Sequence, residues 1–119
     1  MATLDHVALA VADPARSLRF YRDVVGVDGD VREEPYGFVV TTPSGLSFTL
    51  FTGTTPPAMG DFHIGVRLPD AGAVHAARAR YLGLGLVEHE WCEEPGYTSV
   101  KVVDPDGYVV EVHWEDVQG

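Results

Sequence analysis

Two imidazoles and one carboxyl group lie where the alternation of β-strands turns them to comparable faces. In the run 4–11, Val7, Leu9 and Val11 fall on one side and His6, with Ala8 and Ala10, on the other. In the run 62–68, Phe62, Ile64 and Val66 oppose His63 in the same way. Near the end of the chain Val110, Val112 and Trp114 oppose Val109, Glu111 and His113. Two histidines and a carboxylate are the donor set of open divalent-metal sites of the Mn, Fe, Zn or Ni kind, which keep positions free for water or substrate. A lone strand histidine is more often structural, so the weight rests on the repeated placement and the third donor. His113 shares the face of Glu111 and is a candidate substrate contact. His75, on a helix, and His89, between Glu88 and Glu90, read as solvated or charge-paired.

The elements that must position these groups repeat. The first strand is followed by Asp13-Pro14, an N-cap with proline at N1, then by Leu18, Tyr21 and Val25 at helical spacing, with Gly26 as the stop. Three short β-prone runs follow, near 29–34, 37–42 and 46–51, separated by turns at Pro35-Tyr36-Gly37 and Pro43-Ser44-Gly45. Residues 52–61 are rich in Gly, Thr and Pro and read as a linker. The pattern then restarts: a strand at 62–68, a helix capped by Asp70 and ended by Gly83, and strands near 86–91, 97–103 and 108–113. Each half reads β-α-β-β-β. The expected fold is therefore α+β, a single domain over 1–119 with modules at 1–52 and 61–115, whose sheets join into one curved mixed sheet with a concave ligand face. His6 and His63 are repeat-equivalent, and counting from Gly45 and Gly107 makes Thr49 the counterpart of Glu111.

Composition narrows the partners. With 18 acidic against 8 basic side chains and a formal charge of −10, the chain repels nucleic-acid phosphates and anionic membranes. No stretch approaches the roughly 18 apolar residues of a spanning helix and no basic-then-apolar leader is seen, so a cytoplasmic location is expected. The single cysteine, Cys92, has no partner for a disulfide within the chain and reads as a small strand residue.

Leu4-Asp5-His6-Val7 running into Ala12-Asp13-Pro14, Phe20-Tyr21-Arg22-Asp23 with Val25-Gly26, and Asp104-Pro105-Asp106-Gly107 leading to Glu111 resemble the vicinal oxygen chelate superfamily, which includes glyoxalases, bleomycin-resistance proteins and extradiol dioxygenases. The resemblance covers nearly the whole chain. It implies a small-molecule metalloenzyme, with His6, His63 and Glu111 as metal ligands and the ion acting as a Lewis acid on an oxygen-chelating substrate. Thr49 stands where glyoxalase I and epimerase types carry Glu or Gln, and threonine cannot replace that proton-transferring group. The three-ligand pattern is similar to fosfomycin-resistance thiol transferases and to extradiol dioxygenases. Ala8 stands where the transferases carry a hydroxyl, and Lys101 where the dioxygenases carry a tyrosine.

A second branch, the bleomycin-resistance type, consists of small acidic dimers that sequester an antibiotic without metal or catalysis. Here Tyr36, Phe38, Phe51, Trp91 and Tyr97 would supply stacking surfaces. Under the enzyme reading Glu111, His113 and Lys101 are the candidate catalytic groups, and Thr49, Phe38, Phe51, Arg67, Trp91 and Tyr97 the candidate ligand contacts. The family also implies a homodimer whose sites combine His6 and Thr49 of one subunit with His63 and Glu111 of the other.

Overall fold

The computed structural model describes residues 1–56 and 60–116. It falls into two compact units that divide near residue 57. The linker expected over 52–61 is thus described at its two ends, and residues 57–59 lie outside the described part.

In the first unit, β1 (His6–Val11) is followed by helix α1 (Pro14–Arg19), which runs on as a π-helix over Phe20–Val25. Strands β2 (Asp30–Glu34), β3 (Gly37–Thr41) and β4 (Ser47–Thr52) complete a four-stranded sheet of order β1-β4-β3-β2. β1 and β4 are parallel and the other pairs antiparallel. The Asp13 carboxylate accepts from the amides of Ala15 and Arg16 and fixes the helix start. Gly26, at φ 89°, closes it, with the amides of Gly26 and Val27 both donating to the Tyr21 carbonyl. The sequence predicts an ordinary helix here; its second half is widened, and the adjacent Phe20 and Tyr21 are both buried. They pack on a sheet face made of Leu9, Val11, Val40, Phe48 and Leu50, with the Tyr21 and Phe48 rings edge to face at 4.9 Å.

The second unit repeats this plan. Its elements are β5 (His63–Arg67), α2 (Ala71–Gly83), β6 (Glu88–Glu94), β7 (Tyr97–Val103) and β8 (Val109–Glu115). The sheet order is β5-β8-β7-β6, with β5 and β8 parallel. Asp70 caps α2 by accepting from the Ala73 amide. Val74, Ala77 and Tyr81 of α2 are buried on a face formed by Val100, Val102, Val110 and Val112. The opposite face of this sheet carries the polar groups described next.

Two of the candidate ligand contacts lie away from the open face. Phe38 pairs in register with Leu50, so it lies on the helix-covered face, and Val39 is the residue facing outward beside Thr49. Trp91 is also on the helix side, where the Arg78 guanidinium lies 4.2 Å from its ring centre and His75 meets it edge-on at 5.2 Å. The cause is a bulge between Glu88 and Glu90 that leaves His89 out of the ladder. Strict alternation is interrupted there, so Glu88 and Trp91 share a face although an odd number of positions separates them.

Candidate metal and ligand site

Strand register makes the two modules comparable position by position. In the first, Ala8 pairs with Thr49 and His6 with Ser47; in the second, Gly65 pairs with Glu111 and His63 with Val109. His6 and His63 are therefore the same position of the repeat, and so are Thr49 and Glu111.

In the second unit His63 and Glu111 come together. His63 Nε2 stands 3.4 Å from Glu111 Oε1. The other ring nitrogen, Nδ1, lies 2.9 Å from the Asp61 carbonyl oxygen. A carbonyl can only accept, so Nδ1 carries the proton and Nε2 is left to meet the carboxylate. Glu111 Oε2 accepts from Ser99 Oγ at 2.6 Å and from the Tyr97 hydroxyl. Burial acts to raise the Glu111 carboxyl, but the hydrogen bonds from Ser99 and Tyr97 and the nearby His113 and His63 outweigh it, leaving the group below the ordinary carboxylate range. The same bond acts in reverse on Tyr97, whose phenol is raised chiefly by donating to Glu111 and further by burial.

Other expected residues are placed around this pair. Lys101 is opposite Glu111 in register, yet its Nζ is bound to Glu90 Oε1 at 3.2 Å. With His63, His89, Glu90 and Val109 it lines a pocket on the open face. His113 lies beside Gly65, and among the described residues its Nδ1 is buried without a hydrogen-bond partner. Arg67 is drawn to the end of β8, where it donates to the Glu115 carbonyl and lies 3.7 Å from that residue's carboxylate.

In the first unit His6 Nδ1 is 2.7 Å from Asp5 Oδ1, again leaving Nε2 uncommitted. His6, Asp5, Arg32, Tyr36, Val39 and Thr49 line a shallow pocket on the open face of that unit. Phe51 shares this face, in register with Ala10.

Sequence reasoning missed Ser99, the Asp61 carbonyl and Asp5. Period two in β7 already puts Ser99 on the face of Lys101, but its bond to Glu111 depends on the β7–β8 register, which the sequence leaves open. Cys92, read as bland, pairs with Ser99 and so faces the same side; burial first, then Glu94 and Glu90, push its thiol up.

The local chemistry fits a divalent ion. Two ligands each about 2.0–2.2 Å from one metal stand roughly 3.0–3.5 Å apart. The 3.4 Å between His63 Nε2 and Glu111 Oε1 falls in that range and is longer than a good hydrogen bond. Both donors also have their far atoms held, as metal ligands commonly do. Among the described residues no group of three or more His, Cys, Asp or Glu side chains comes together to hold a metal, so the pair alone is an incomplete set.

Comparison with known proteins bears on the family. No curated protein matches the sequence significantly. Among solved structures, the fosfomycin resistance protein FosX from Listeria monocytogenes aligns with a TM-score of 0.81 at 17% identity, covering 99% of this chain and 97% of that one. A mutant FosX complexed with Mn(II) and 1S,2S-dihydroxypropylphosphonic acid gives a TM-score of 0.80 at 16% identity, covering 99% and 95%. Lactoylglutathione lyase from Agrobacterium tumefaciens gives 0.72 at 22%, covering 95% and 93%. At such identities the likeness establishes the fold, that of paired βαβββ modules. The sequence model of the Glyoxalase/Bleomycin resistance protein/Dioxygenase superfamily matches residues 3–112, and the chain belongs to that superfamily.

Proposed function

We propose that this protein is a divalent-metal-dependent enzyme acting on a small substrate that offers oxygen atoms to the ion. The reading rests on the His63–Glu111 pair, in which Nε2 and Oε1 face each other while Asp61, Ser99 and Tyr97 hold the far atoms. His6, the repeat equivalent of His63, supplies the third ligand. The protein acts as a homodimer, in which His6 and Thr49 of one subunit join His63 and Glu111 of the other. A metal held this way polarises substrate oxygens and orients them. Lys101, whose ammonium is paired with Glu90, and His113 lie beside the pair and are the candidates for anion binding and proton transfer. The Mn(II) complex of the similarly folded FosX supports a metal of this class.

Thr49 argues against an isomerase of the glyoxalase I type, since a threonine at the position of Glu111 cannot relay a proton as a carboxylate does. The drug-sequestering reading draws less support: of its five aromatic side chains, Phe38 and Trp91 lie on helix-covered faces and the Tyr97 hydroxyl is committed to Glu111.

Elemental analysis of protein purified without chelator tests the proposal. One divalent ion per chain, lost in His6→Ala, His63→Ala and Glu111→Ala, is the expected result. A full equivalent retained by His63→Ala rules out this ligand set, and metal-free protein that binds an antibiotic unchanged supports sequestration instead.

A further inference from the structure

Glu111 is a half-buried carboxylate whose two oxygens have unlike surroundings. Its side chain is 13% exposed. Oε2 takes both available hydroxyl donors, Tyr97 OH and Ser99 Oγ, from the neighbouring strand β7. Among the described residues Oε1 has His63 Nε2 as its polar neighbour and receives no hydroxyl. A carboxylate oxygen has two lone-pair directions in its plane, and two donors fill them. A carboxylate satisfied only for the sake of burial gains most by spreading donors over both oxygens; here one is saturated and the other kept bare.

We infer that Tyr97 and Ser99 are positioning residues that lock Glu111 as a one-oxygen ligand, presenting Oε1 beside His63 Nε2 and withholding Oε2. This deepens the metal-site reading and rests on it. A saturated Oε2 cannot join Oε1 in bidentate coordination without losing a hydroxyl donor. Nor can Oε2 accept a substrate proton without doing so. Both hydroxyls sit on β7 two positions apart, on the face that register turns toward Glu111, so the lock is a property of the sheet and not of a loop.

The test is titration of the apoprotein with Co(II) alone, followed by its visible absorption, for the unaltered chain and for Tyr97→Phe, Ser99→Ala, Ser99→Thr and Glu111→Gln. The expected result is affinity weakened about 10–100-fold in Tyr97→Phe and in Ser99→Ala, with an altered absorption envelope, and recovery in Ser99→Thr, which restores the hydroxyl. Circular dichroism and urea midpoints separate folding damage from this effect. A purely structural role lowers the urea midpoint while Co(II) affinity and spectrum stay those of the unaltered chain, and that outcome overturns the lock alone. If the unaltered chain binds no Co(II), the metal reading falls and the lock with it. If Glu111→Gln binds as the unaltered chain does, Glu111 is no ligand and the lock has no object.

Discussion

Thr49 and Glu111 occupy one position of a duplicated sheet: each lies on the last strand of its module, paired with the residue two beyond that module's histidine. The duplication is thus symmetric in its imidazoles and asymmetric in its carboxylate. One half presents a ring beside a hydroxyl, the other a ring beside an acid.

That asymmetry can be removed. Thr49→Glu adds a carboxylate to the face that carries His6, and the expected result is divalent-metal binding tightened by tenfold or more with the stoichiometry unchanged. Calorimetric titration with Mn(II) or Co(II) measures both. Unchanged affinity would mean that Thr49 stands apart from the metal.

Gly37 is required by backbone geometry. It has φ 151°, and an added Cβ would lie 2.0 Å from the Leu50 carbonyl oxygen. Gly37→Ala is expected to destabilise by more than about 1 kcal/mol. Gly83, the last residue of α2, where an added Cβ would meet open space, is the contrast: Gly83→Ala is expected to stabilise by up to about 0.5–1 kcal/mol. Urea denaturation of both variants checks the pair.

Asp104 sets the turn that delivers β8. It is buried, and its Oδ1 accepts from the amides of Asp106 and Tyr108. Asp104→Ala strands two amide donors, and a loss of about 1–3 kcal/mol is expected, with weaker metal retention because Glu111 follows this turn. Thermal unfolding and metal content are the two readouts.

The acid side of the stability curve reports on Glu88. Its carboxyl is lowered chiefly by the hydrogen bond from Arg78, against an opposing effect of burial. A carboxylate depressed in the folded state contributes stability that is fully present above its ordinary value of 4.5 and is lost as pH falls through the lower folded value. Urea midpoints between pH 7 and pH 3 should therefore fall less steeply in Glu88→Gln than in the unaltered chain. Parallel curves would show that Arg78 gives Glu88 no preference for its charged form.

The plan of the modules was legible because each element carries local signals: Asp13 and Asp70 as caps, Gly26 as a stop, and alternation in the core strands. The faces of His6, His63, Thr49 and Glu111 were legible for the same reason, since period two is a property of a single strand. What escaped depends on relations between strands. Trp91 falls on the helix-covered face because a bulge at His89 shifts parity, and a bulge is a feature of pairing with no marker in one strand alone. The face of Phe38 is decided by its pairing with Leu50. Lys101 was read as free for a substrate, but Glu90 across the ladder holds its ammonium.

The parallel pairing of β5 with β8 has a kinetic consequence. These strands open and close their module, so the pairing that brings His63 and Glu111 together closes a loop containing the helix and both intervening strands. Such long-range closure is among the slowest events of folding. An ion captured there would act as a latch on the finished module, slowing its reopening and drawing late intermediates toward completion.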